Sequence, residues 1–387
     1  MIQTGIERFC LAPPAWAKKQ AIGILCNQAS VDSKLRHSRI LINEALPGHL
    51  KAVFSPQHGL FAEKQDNMKE SSHETDPDLG IPVFSLYEKS RTPLKNQLDL
   101  IDLFVVDIQD VGTRVYTYIW TLLLAMKACE KAGVSMAVLD RPNPIGGNMV
   151  EGNLLDQELH SFVGMAPIPM RHGLTVAELA IMFKSIFHLD LELHIVKMKG
   201  WTRNMLFPDT GLYWVLPSPN MPTFETALVY PGQVILEGTN LSEGRGTTRP
   251  FEIFGSPYID TKKVLKYLVP TRGFILREQF FEPTFNKWQG ERCKGFQIHV
   301  TDPNTFQPYR FTLSLLSAIH RTCNEEFAWT PPPYEYDYER LPADLIIGSR
   351  KMRRMIQQGA RVDEMEELLK RDERKFEEIR QPWLLYP

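Results

Sequence analysis

The chain has 387 residues, enough for two domains that each bury a core of their own. Its 43% hydrophobic and 23% charged residues are the proportions of an ordinary globular protein. A formal charge of −2 and a pI near 6.6 exclude the strongly basic surface of a nucleic-acid binder or a polybasic membrane-surface protein.

The first half alternates strand and helix patterns. The run from Ala21 to Cys26 predicts a strand, Leu35 to Leu46 a helix, and His49 to Phe54 the next strand. A short strand follows at Ile81–Phe84, where Pro82 suits an edge. Leu103–Val106 is an apolar run without polar alternation and reads as a buried central strand. The helical pattern from Tyr118 onward ends at Gly133, a fitting C′ residue. Ser135–Leu139 is the next strand. The capping-box spacing of Thr175-Val-Ala-Glu178 opens a helix to about Phe187, and Leu191–Val196 is a last strand. Such alternation implies a mainly parallel, doubly wound sheet.

Prolines and glycines crowd the stretch after Gly200, which places a domain boundary there: residues 1–200, then 201–387. The second part predicts strands at Val234–Leu236 and Gly295–Val300. Helices are expected near Thr261–Leu268, Arg310–Cys323 and Asp363–Ile379. The architecture expected is therefore α/β, a parallel-sheet domain followed by a smaller α+β domain. The five cysteines are scattered without CxxC spacing, which suits a reducing compartment and offers no zinc site. No basic-then-apolar leader opens the chain, and its longest apolar run is far short of the roughly 20 residues of a membrane span. A cytoplasmic protein without a membrane span is the expectation.

No GxGxxG follows a strand, and GxxxxGK[ST], HExxH and GxSxG are missing. What remains are polar clusters at strand ends, which a parallel sheet brings to one edge. His58 and Glu63 follow the second strand, and Leu60 and Phe61 could shield Glu63 from water, as a general acid requires. Asp107, Gln109, Asp110 and Arg114 follow the central strand, and Arg141 follows Leu139. Glu151 lies further on, and Arg171 beside His172 could meet an anionic group. The densest cluster runs from Glu237 through Asn240, Glu243 and Arg245 to Glu252. Its glycines allow close approach to a ligand, and its arginines can grip a carboxylate. Carboxylates, arginines and aromatics without a cofactor or metal signature point to sugar chemistry on an anionic substrate.

The segments Phe54–Glu63, Asp107–Tyr118, Leu139–Pro144, Pro217–Pro222 and Glu237–Glu252 closely resemble the bacterial exo-β-N-acetylmuramidases. The resemblance runs from about residue 20 to the end of the chain. It implies a Rossmann-like N-terminal domain, a smaller C-terminal domain and an active site in the cleft between them. The implied activity is release of N-acetylmuramic acid from the non-reducing ends of peptidoglycan fragments, without metal or organic cofactor. Glu63 would be the general acid, with Glu151, Asp107 or Asp110 as the second carboxylate; alternatively the substrate's own acetamido group attacks. His58, Gln109, Arg114, Arg141, Arg171, Glu237, Asn240, Glu243 and Arg245 are the expected substrate contacts. A muropeptide-binding protein that does not turn over is the alternative from another class.

Overall fold

A computed structural model describes residues 1–61, 74–87, 91–269 and 272–387. A short helix, α1 (Gly5–Leu11), precedes the alternating part. There follow β1 (Ile22–Cys26), α2 (Ser38–Ala45), β2 (Leu50–Ser55), β3 (Glu74–Thr75), β4 (Pro82–Ser85) and α3 (Lys95–Leu98). Then come β5 (Leu103–Asp107), α4 (Tyr118–Ala132), β6 (Ser135–Leu139), α5 (Val176–Ile186) and β7 (Leu193–Val196). The seven strands form one sheet in the order β3-β4-β2-β1-β5-β6-β7, parallel except for the β3–β4 pair. β1 and β5 are adjacent and buried along their whole length, because helices cover both faces.

Helix α4 is apolar on nearly every side and is accordingly buried, not amphipathic. Gly133 ends it in the left-handed conformation, with Val134 N donating to the Cys129 carbonyl. In α5, Thr175 Oγ1 accepts from Glu178 N while the Glu178 carboxylate accepts from Thr175 N, the reciprocal cap that the spacing predicts.

The C-terminal part holds α6 (Phe224–Gln233), β8 (Ile253–Ser256), α7 (Thr261–Tyr267), β9 (Phe274–Phe281), β10 (Cys293–Val300) and α8 (Pro308–Thr322). It ends in α9 (Pro342–Ile347), α10 (Arg350–Gln357) and α11 (Val362–Arg380). Its three strands form an antiparallel sheet in the order β8-β10-β9. One expectation is corrected here: Val234–Leu236 is not a strand but part of a 3₁₀ turn (Val234–Gly238) that continues α6. Pro231 removes a backbone donor near the end of α6, and the chain tightens into 3₁₀ geometry directly after it. A short buried apolar run carries no period that separates the two cases. No helix among the described residues is long and apolar enough to cross a membrane.

Candidate active site

The carboxyl ends of β1 and β5 flank the point where the strand order reverses, the usual ligand crevice of such sheets. Here that crevice is filled by the protein itself. Arg141 Nε and Nη2 grip the two Asp107 oxygens at 2.6 and 2.8 Å, and Nη2 also reaches the Val31 carbonyl. Asn27 Nδ2 donates to the Gln109 carbonyl, and Gln109 Nε2 donates to the carbonyls of Asp110 and Pro142. Asp110 receives Gly112 N at 2.7 Å, and burial pushes its carboxyl up to about 7. His172 lies 4.0 Å from it, and burial holds that imidazole down at about 3.

Several other expected contacts also hold the structure together. Arg114 is fully buried, and among the described residues no carboxylate pairs with it directly. Its guanidinium donates to the carbonyls of Asn153, Ile168, Ile346 and Ile347. Glu151 accepts from Arg310 N at the start of α8, and burial lifts its carboxyl to about 7. Arg171 pairs with Glu151 through backbone bonds, donates to the Ile145 carbonyl and lines a separate hollow with Gly146 and Arg203. Asn240 is pinned by Tyr258, Ala328 and Glu326. Glu243 receives Lys287 Nζ at 2.8 Å; burial acts against its ionisation, but Lys287 and Arg245 hold its carboxyl below the usual range. Glu63 lies outside the described residues.

A cavity opens instead where the two parts of the chain meet. Its N-terminal wall is Gln57 and His58 after β2, Val115–Tyr118 leading into α4, and Val163. Its C-terminal wall is Ser218, Asn220 and Met221, then Tyr230, Glu237, Arg245, Phe251, Tyr334 and Glu335. His58, Glu237 and Arg245 are thus the expected residues that the fold brings to it. Arg245 Nη2 holds Glu237 Oε1 at 2.7 Å, and Tyr334 Oη donates to Glu237 Oε2 at 2.6 Å. Tyr116, Tyr118, Tyr230 and Phe251 run along one side as a ladder of edge-on rings 4.7–5.8 Å apart.

Sequence reasoning passed over Gln57 as a contact and missed Tyr334 and Glu335 altogether. Thr117 Oγ1 donates to Gln57 Oε1, and Gln57 Nε2 donates to Glu335 Oε1 at 3.1 Å. Tyr87 Oη donates to Glu335 Oε2 at 2.6 Å. Burial raises the Glu335 carboxyl above the ordinary glutamate value, against the lowering pull of Tyr87 and Gln57. The one sequence signal was the Pro331–Tyr338 stretch, where prolines give way to alternating aromatics and acids. Backbone strain marks the same place: His58, Phe251 and Glu335 have φ of 75°, 63° and 48° without being glycines. Left-handed backbone at bulky residues is costly and gathers at functional sites.

A family model of the N-terminal part of exo-β-N-acetylmuramidases matches residues 22–225, and one of the C-terminal part matches residues 228–386. The chain is 40% identical over 390 residues to a peptidoglycan β-N-acetylmuramidase of Bacillus subtilis (strain 168), covering all of this chain and 91% of that one. Crystal structures of two DUF1343 family proteins from Bacteroides fragilis NCTC 9343 superpose with TM-scores of 0.89 and 0.78. They are 32% and 28% identical, and each comparison covers 100% of this chain and 99% of the other. With both halves matched in order and a relative aligned across the whole of this chain, the chain belongs to the exo-β-N-acetylmuramidase family.

Proposed function

We propose that the protein is an exo-acting glycoside hydrolase that releases N-acetylmuramic acid from the non-reducing ends of peptidoglycan fragments. In this reading the cavity between Gln57–His58 and Tyr334–Glu335 receives the terminal sugar. The supporting observation is the pairing of two buried carboxylates, Glu237 and Glu335, with a tyrosine-rich wall in one small cavity. Carboxylates and tyrosine hydroxyls suit sugar hydroxyls, and ring faces suit the apolar side of a pyranose. Glu63, which follows His58 closely in the sequence, supplies the leaving-group proton in this reading.

The test compares chromogenic glycosides of N-acetylmuramic acid and N-acetylglucosamine. The first is expected to be cleaved and the second left nearly untouched. Equal rates would mean that the lactyl ether is not read and would overturn the proposed substrate.

A further inference from the structure

We propose that Glu335 is the catalytic base of this cavity, the carboxylate that takes up the proton released when water adds to the anomeric carbon. The inference rests on the glycosidase reading above and assigns the proton acceptor within it. Among the described residues, two carboxylates line the cavity, and their surroundings differ. Both Glu237 oxygens are engaged, one by the Arg245 guanidinium at 2.7 Å and the other by Tyr334 Oη at 2.6 Å. Glu237 is thereby committed to holding Arg245 and Tyr334 in place. Among the described residues, the Glu335 carboxylate accepts hydrogen bonds from neutral donors alone, Gln57 Nε2 on one oxygen and Tyr87 Oη on the other, while the Arg91 charge acts from further off. Among the described residues no cationic group lies within 4 Å of its carboxylate. Each oxygen keeps lone pairs for a further hydrogen.

Its placement is as specific as its chemistry. Glu335 comes from the C-terminal part, whereas Gln57 and Tyr87 come from the N-terminal sheet, so the carboxylate spans the junction at which the cavity opens. Left-handed backbone at Glu335 and Tyr336 aims it inward, with φ of 48° and 65°. Arg91 secures that segment by donating to the Glu335 carbonyl at 3.1 Å and stacking over Tyr336 and Phe162. Held this way, the carboxylate has little freedom to swing toward solvent, and desolvation makes it a better proton acceptor than an exposed glutamate.

The step balances simply. The anomeric C–O bond to the leaving sugar breaks, and the general acid protonates the departing oxygen. The water oxygen bonds to the anomeric carbon, and its proton passes to Glu335. That proton then leaves to solvent, and the acid is reprotonated from solvent. Because Glu335 works as the carboxylate, activity falls as pH drops through its pKa. Among the described residues, the charged and titratable groups that face it are Tyr87 and Arg91 on the N-terminal side, and Tyr230, Glu237, Tyr334 and Tyr336 on the C-terminal side. Burial places the acidic limb above the ordinary glutamate range.

The experiment measures kcat and KM against pH for wild type, Glu335→Gln and Tyr87→Phe on an N-acetylmuramic acid glycoside, with thermal melting as the control for folding. Glu335→Gln is expected to lose ~10²–10⁴-fold in kcat with KM little changed and to lose the acidic limb. Tyr87→Phe removes a hydrogen bond that favours the ionised form, so its acidic limb should move to higher pH. A Glu335→Gln protein that melts normally and keeps kcat within fivefold, or keeps the wild-type limb, overturns the assignment. So does a Tyr87→Phe protein that slows at every pH without moving the limb, since that is what a merely structural bond would do. An inactive wild type would instead overturn the glycosidase reading and this assignment with it.

Discussion

At the scale of single residues, Asp107 and Glu63 belong to the same chemical class and are expected to fail differently. Asp107 stands at the end of the central strand, but both its oxygens are taken by Arg141 and neither residue borders the cavity. Breaking a buried pair leaves an uncompensated charge, so Asp107→Ala should lose ~3–5 kcal/mol in stability. Urea denaturation checks this; a loss under 1 kcal/mol would show that Arg141 finds another partner. For Glu63, the general acid of the proposed reaction, Glu63→Gln should cost ~10²–10⁴-fold on natural fragments. A nitrophenyl leaving group needs little protonation, so the same variant should lose far less on that substrate. Equal losses on both substrates would show that Glu63 is not the acid.

At the scale of elements, the joint between α9 and the strand-end loops depends on a glycine. Gly348 follows α9 with φ of +77°, and a Cβ there would lie 2.6 Å from the Arg114 guanidinium. That guanidinium caps the last carbonyls of α9 while also holding Asn153 and Ile168. Gly348→Ala therefore meets backbone strain and a displaced buried arginine together. A loss above ~1 kcal/mol is expected, more than the φ penalty alone. Chemical denaturation beside Gly48→Ala gives the comparison, because Gly48 also has positive φ but has open space where its Cβ would go. Equal losses would show that the contact with Arg114 adds nothing.

At the scale of the whole molecule, one arginine ties the two parts together. Arg310, in the first turn of α8, reaches Glu366 and Glu373 on α11, while its backbone N–H donates to Glu151 from the N-terminal part. Glu151 thus acts as a cap for α8, which lacks a side-chain cap of its own. Burial raises the Glu151 carboxyl from its ordinary 4.5 to about 7. Its contribution to stability is therefore full below about 4.5 and lost as pH rises through 7. Each pKa unit is worth ~1.4 kcal/mol, so the effect over that window is on the order of 3–4 kcal/mol. Glu151→Gln cannot ionise and should be less sensitive than wild type to a rise from pH 5 to pH 8. Parallel stability profiles for the two proteins would refute the linkage.

The parallel sheet, α4 with its Gly133 stop and the α5 capping box were legible in the chain, since period, caps and strand-end polarity are local properties. So were His58, Glu237 and Arg245 as residues near a cavity. Local pattern could not tell Val234–Leu236 from a strand, because three buried apolar residues have no period. Nor could it tell a site carboxylate from a structural one. Asp107 is closed off by Arg141, which comes from a different strand end, and Arg114 by carbonyls more than two hundred residues away. Glu335 comes to Gln57 and Tyr87 across separations of 278 and 248 residues. Whether a polar side chain serves packing or lines a cavity depends on partners brought in from distant parts of the chain, and only the tertiary structure decides that.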